Sequence, residues 1–279
     1  MRALSGVMAL ASVLVSVLAS VPADAFVLYR ADAKDPKSAP LRWFSLRATL
    51  VFDVGAPEEI EAVPARAAIE KSFRQWATLK CDGEATPFEL TFGGTVSGRE
   101  VGYLQDAGPS GNENLVIWVP AGWAHGKKVL ALTSLTYDTK SGEIVDGDLE
   151  LNDADYEFTL DAALDKTAID LRNTVTHEAG HFLGLDHSLE SEATMFNTAP
   201  PGEILKRDLL EDDVNGYCAL YGPDAPLKVI TGGTTAVPGT RTSNPACSLG
   251  TRPSASAWLL VVLFALALQA RREPRVDRR

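Results

Sequence analysis

Apolar and polar positions along the chain alternate in some stretches and recur at three-and-four spacing in others, and the two rhythms divide it into predicted strands and helices. From Ser45 to Val54, Leu46, Ala48, Leu50 and Phe52 alternate with Arg47, Thr49 and Asp53, the pattern of a half-buried strand. Pro64 opens a helix in which Ala68, Ile69, Phe73 and Trp76 make one apolar stripe for the core. Phe88–Phe92 and Asn114–Pro120 predict two further strands, with the Gly-, Pro-, Ser- and Asn-rich stretch Ala107–Glu113 as a loop between them. Val129–Tyr137 and Glu143–Leu151 read as a hairpin turning through Asp138 to Gly142. In its second strand Asp146, Asp148, Glu150 and Asn152 share one face. That face is either solvated or a group of hard oxygen donors for calcium, with Asp146, Asp148 and Glu150 as candidate ligands. A helix beginning near Thr167 buries Ile169, Leu171, Val175 and Phe182, and a last one, Ile204–Leu220, stops at Tyr221-Gly222-Pro223.

The two ends follow neither rhythm. Arg2, the apolar run Val7–Leu18 and Ala23-Asp24-Ala25 have the layout of a secretory signal peptide, which predicts export and a mature start at Phe26. Residues 224–246 are rich in Thr, Gly and Pro and read as a flexible linker. Beyond it, residues 247–279 hold Cys247, the apolar run Ala257–Leu268 and a cluster of arginines, an arrangement able to hold the chain at a membrane. Residues 26–223 remain as one domain. Composition changes this picture little: 46% hydrophobic and 23% charged residues describe an ordinary core and surface. The net charge of −11 gives no support for nucleic-acid binding, which wants a basic face. Of three cysteines, Cys81 and Cys218 form a candidate disulfide in an oxidising compartment.

The chemistry is concentrated in His177-Glu178-Ala179-Gly180-His181-Phe182-Leu183-Gly184-Leu185-Asp186-His187-Ser188, which contains three of the four histidines. On a helix, His177 and His181 project from one face one turn apart, where both can ligate one zinc ion. Glu178 is rotated off that face and is the natural general base for a water on the metal. Gly184 lets the chain leave the helix and return, bringing His187 in as third ligand. Three protein ligands leave a fourth position for water, the arrangement of a catalytic zinc.

This extended pattern resembles the metzincin signature, and Ser188 after the third histidine resembles its matrixin branch. Leu209–Gly216 with Ala219–Gly222 is similar to the matrixin closing helix, so the resemblance spans about Trp43 to Gly222. It implies an α+β zincin-like fold: a twisted, mostly parallel five-stranded sheet with an antiparallel edge strand, a backing helix, an active-site helix and a C-terminal helix. It implies a zinc-dependent endopeptidase with one catalytic Zn2+, calcium as a further cofactor, and Met195 of Ala193-Thr194-Met195-Phe196 in a turn beneath the metal. Peptides would add antiparallel to the strand Val129–Tyr137, with Asn197–Leu205 as the S1′ wall. The Phe26 ammonium would meet Asp212. The chain departs from the family in having no Pro-Arg-Cys-Gly segment and no hemopexin-like repeats. His125 is the one histidine outside the motif, so a second, structural zinc is not expected and His125 reads as a surface residue. The C-terminal segment resembles the myxobacterial C-terminal sorting signal, which implies transient membrane retention, processing near Cys247 and anchoring at the cell surface; the chain is expected to be a monomer, at the cell surface or secreted. A non-catalytic surface binding protein on the same scaffold is the alternative.

Overall fold

Ala48, Leu50 and Phe52 are buried and their neighbours more exposed along β1 (Arg47–Asp53), the alternation that commits this stretch to the sheet. The computed structural model describes residues 25–53, 55–104, 112–225, 238–242 and 248–250. After β1 comes helix α1 (Ala62–Ala77), then β2 (Glu89–Val96), β3 (Asn114–Trp118) and the hairpin β4 (Ala131–Asp138) and β5 (Ile144–Leu151). Helices α2 (Leu171–Phe182) and α3 (Glu211–Tyr221) follow, and Pro238–Thr242 adds a last strand, β6. The sheet order is β6-β4-β5-β3-β1-β2. Within it β1–β2, β1–β3 and β3–β5 pair in parallel, while β4 runs antiparallel to β5. The expected five strands are thus present, with an antiparallel strand beyond β5. The fold is α+β.

Helix α1 buries Ala65, Ala68, Ile69, Phe73 and Trp76. Trp76 is wholly buried, and its indole N–H donates to Thr176 O at 2.8 Å, which ties α1 to α2. Trp43 makes the same kind of bond to Phe182 O at 2.9 Å, fixing the far end of α2. A Cys81–Cys218 disulfide, Cα atoms 5.6 Å apart, fastens α3 to the chain just after α1.

Four expectations need correction. The polar face of β5 is not solvated: Asp146, Asp148, Glu150 and Asn152 are all buried, because residues before β3 and beside β4 lie over it. Helix α2 starts at Leu171, since Ile169–Asp170 is extended and pairs with Phe158–Thr159. Asp170 then caps the helix, accepting from Asn173 N at 2.8 Å. The final helix is split into a 3-10 turn, Leu205–Arg207, and α3, which opens at three acidic residues suited to a helix N-terminus. The linker is not wholly irregular, for Pro238–Thr242 pairs with β4. Residues 1–24, Cys247 and residues 251–279 lie outside the described residues. Within the described residues no helix is long and apolar enough to cross a membrane.

Candidate metal centre

Helix α2 carries His177, Glu178 and His181 in its buried last two turns. Gly184, at φ 104°, then turns the chain back; a Cβ there would lie 2.1 Å from Leu41 O. The return brings His187 over His181, with the two Nε2 atoms 3.2 Å apart. Candidate ligand atoms of His177, His181 and His187 all fall within 4.8 Å of one another. Two nitrogens each about 2.0–2.1 Å from a tetrahedral zinc stand roughly 3.3 Å apart, so the spacing fits that ion.

The hydrogen bonding points the same way. His177 Nδ1 is 2.7 Å from Thr194 O and His181 Nδ1 is 2.8 Å from Leu185 O, which fixes each ring with its proton on Nδ1. His177 Nε2 is buried with no hydrogen-bond partner. A buried nitrogen lone pair aimed at two others is what a metal would satisfy. Burial, then the neighbouring charge of Lys206, lowers the pKa of both His177 and His187, the latter to about 4. Both rings are therefore neutral near pH 7, the state that ligates.

Glu178 is completely buried, and Thr133 Oγ1 on β4 donates to Glu178 Oε2 at 2.7 Å. Beneath the histidines, Met195 is buried with its sulfur against Gly180, where an added Cβ would sit 2.2 Å from Sδ. Asp213 holds this turn, accepting from Thr194 N at 2.8 Å, Met195 N at 2.9 Å and Leu210 N at 2.8 Å. Lys206, also buried, bonds Thr194 O at 3.1 Å and Phe196 O. Ser188 N donates to Met195 O at 3.0 Å, joining the third histidine's segment to the same turn.

The other expected positions fall elsewhere. Asp212 Oδ1 accepts from Ala25 N and Phe26 N, each at 2.8 Å, and Oδ2 from Ser188 Oγ at 2.6 Å. Asp148 accepts from Gly102 N at 2.7 Å and Leu115 N at 2.9 Å, and Glu150 lies 3.3 Å from His125 Nε2. His125 is thus a partner of Glu150 as well as partly exposed. Among the described residues the three histidines form the group of His, Cys, Asp or Glu able to hold a metal ion, and Asp146, Asp148 and Glu150 are not part of it. Sequence reasoning missed Thr133, Lys206 and Asp213. Thr133 and Asp213 carry no local signal, and Lys206 looked like one more charge on a predicted helix.

The matrixin family model matches residues 127–222. Metalloendoproteinase 1-MMP of Arabidopsis thaliana is 44% identical over 64 residues, 23% of this chain and 17% of that protein. Metalloendoproteinase 1 of Glycine max is 43% identical over 56 residues, 20% of this chain and 18% of the relative. Stromelysin-1 of Rattus norvegicus is 43% identical over 60 residues, 21% and 13% of the two chains. The chain therefore spans less than a quarter of the length of each of these curated relatives. All three histidines, Glu178 and Met195 lie inside the stretch from Lys127 to Gly222, and that stretch is matrixin-like, of the metzincin kind.

Proposed function

We propose that this protein is a zinc-dependent endopeptidase, and the observation that carries the reading is the convergence of three imidazoles beside a buried carboxylate. Bound by His177, His181 and His187, zinc would supply a Lewis acid for the scissile carbonyl and a more acidic water. Glu178 takes a proton from the attacking water and delivers it to the leaving amine. Thr133 orients that carboxylate from β4. Met195 touches no substrate; with Gly180 and Asp213 it supports the floor on which His177 and His181 rest.

The substrates we infer are extracellular polypeptides. This rests on the signal-like residues 1–25 and the Cys, apolar and Arg elements of residues 247–279, which also carry the proposed export and surface attachment. Phe26 beside Asp212 is consistent with a functional role for a mature start there. Calcium is not part of the proposal, because Asp148 and Glu150 already engage protein partners.

The test is metal analysis of the purified chain together with cleavage of a mixed peptide library. One zinc per chain and cleavage abolished by a chelator are expected. Glu178→Ala should keep the zinc and lower kcat by roughly 10^2- to 10^4-fold. Zinc bound with no cleavage of any peptide would move the reading to the non-catalytic binding protein, and absence of zinc would overturn it.

A further inference from the structure

The outer edge of β4 is paired with this chain's own tail from Ser134 to Asp138. Strand β6 runs antiparallel to β4, with Pro238 opposite Asp138 and Thr242 opposite Ser134. Further along, Ser248 bridges Val129 in the same antiparallel sense, so the register advances in step to within one residue. The two contacts bracket Thr133, whose hydroxyl is bonded to Glu178. On its other side, Ser248–Leu249 pairs in parallel with Thr198–Ala199, the segment just after the Met195 turn. Leu249 N donates to Lys128 O at 2.8 Å, Ser248 N to Asn197 O at 3.1 Å and Gly250 N to Ala199 O at 3.3 Å. Ser248 Oγ adds a bond to Asn197 O at 3.1 Å. Backbone to both walls is thus satisfied by residues far beyond the domain in sequence.

We propose that the tail segments 238–242 and 248–250 are intramolecular occupants of the cleft, which a peptide must displace before it can reach Glu178. The identification of this groove as the peptide cleft rests on the proposed endopeptidase reading. An edge strand has one row of free donors and acceptors, so a second strand cannot add to β4 while β6 is there. Because the occupants are tethered, their local concentration is on the order of millimolar, and even weak pairing competes effectively. The restraint acts within one chain and does not depend on protein concentration. It is relieved by anything that draws the tail away or cuts it.

The experiment compares the full-length chain with a full-length variant in which Arg241→Pro, Ser248→Pro and Leu249→Pro remove backbone donors of the tail, Arg241 standing opposite Leu135. Both are made in a Glu178→Gln background so that nothing is cut and the outcome does not depend on catalysis. Hydrogen exchange should show the β4 amides that point away from β5 protected in the parent and released in the variant, with α2 and β1 unchanged as a control for folding. A labelled synthetic peptide of residues 238–250 should bind the variant at least about tenfold more tightly than the parent. Equal exchange in the two proteins, or equal peptide affinity, overturns the proposal. Loss of the endopeptidase reading is recognised separately, by metal and cleavage assays on the chain with Glu178 intact.

Discussion

At the scale of single residues, the centre depends on atoms that hold the ligating and reacting groups rather than on those groups alone. Thr133 Oγ1 is 2.7 Å from Glu178 Oε2, a bond to a group expected to be ionised during the reaction. Such bonds contribute about 1.5–3 kcal/mol, so Thr133→Val should lower kcat roughly tenfold or more while leaving zinc content and KM nearly unchanged. Steady-state kinetics with parallel metal analysis would check this, and Thr133→Ser should restore most of the rate. Gly180 faces a different constraint. Its missing Cβ makes room for the Met195 sulfur and the edge of Trp76. Gly180→Ala should therefore destabilise the protein by about 1–3 kcal/mol through overpacking, measured by denaturant unfolding of the metal-free form.

At the scale of elements, most of the architecture could be read from period and punctuation. Alternation gave β1, the three-and-four stripe ending in Trp76 gave α1, and the His177–His181 spacing with Gly184 gave both the end of α2 and the return of His187. The misreadings share a physical cause. Asp146, Asp148 and Glu150 have the pattern of a wet face, but the cover that buries them comes from residues far away in sequence. Thr133 reaches Glu178 across 45 positions and Asp213 reaches Met195 across 18, and no local rhythm encodes such contacts. The start of α2 was blurred because Ile169 fits a helical stripe as well as the short parallel pairing it makes. One element contact yields a direct test. The Cys81–Cys218 bond closes a loop of 137 residues in sequence separation, holding α3 against the end of α1. Cys81→Ser with Cys218→Ser should cost about 2–5 kcal/mol of stability, and the wild-type chain should show a matching fall in melting temperature on reduction.

For the molecule as a whole, buried carboxylates set how stability responds to pH. Burial, then the charge of Asp148, pushes the Asp146 pKa up to about 7; burial likewise raises Asp148 to about 6, against two backbone N–H bonds that lower it. An unfolded Asp titrates near 3.9. Between pH 4 and 7 the folded chain thus holds protons that the unfolded chain has released, so this pair's contribution falls as pH rises through that window. Each group adds a slope of up to about 1.4 kcal/mol per pH unit, and Asp146→Asn should flatten it by that amount in unfolding titrations.

Asp212 has a wider consequence. Its two oxygens are shared between the backbone at Ala25 and Phe26 and the hydroxyl that follows the third histidine. A single carboxylate thus makes Ala25 and Phe26 an input to the geometry of the far end of the site. Where the chain is trimmed then becomes a kinetic variable. A preparation with ragged starts around Phe26 should behave as a mixture of enzymes with different rate constants, and mass spectrometry of the N-terminus should predict the proportions of its fast and slow fractions.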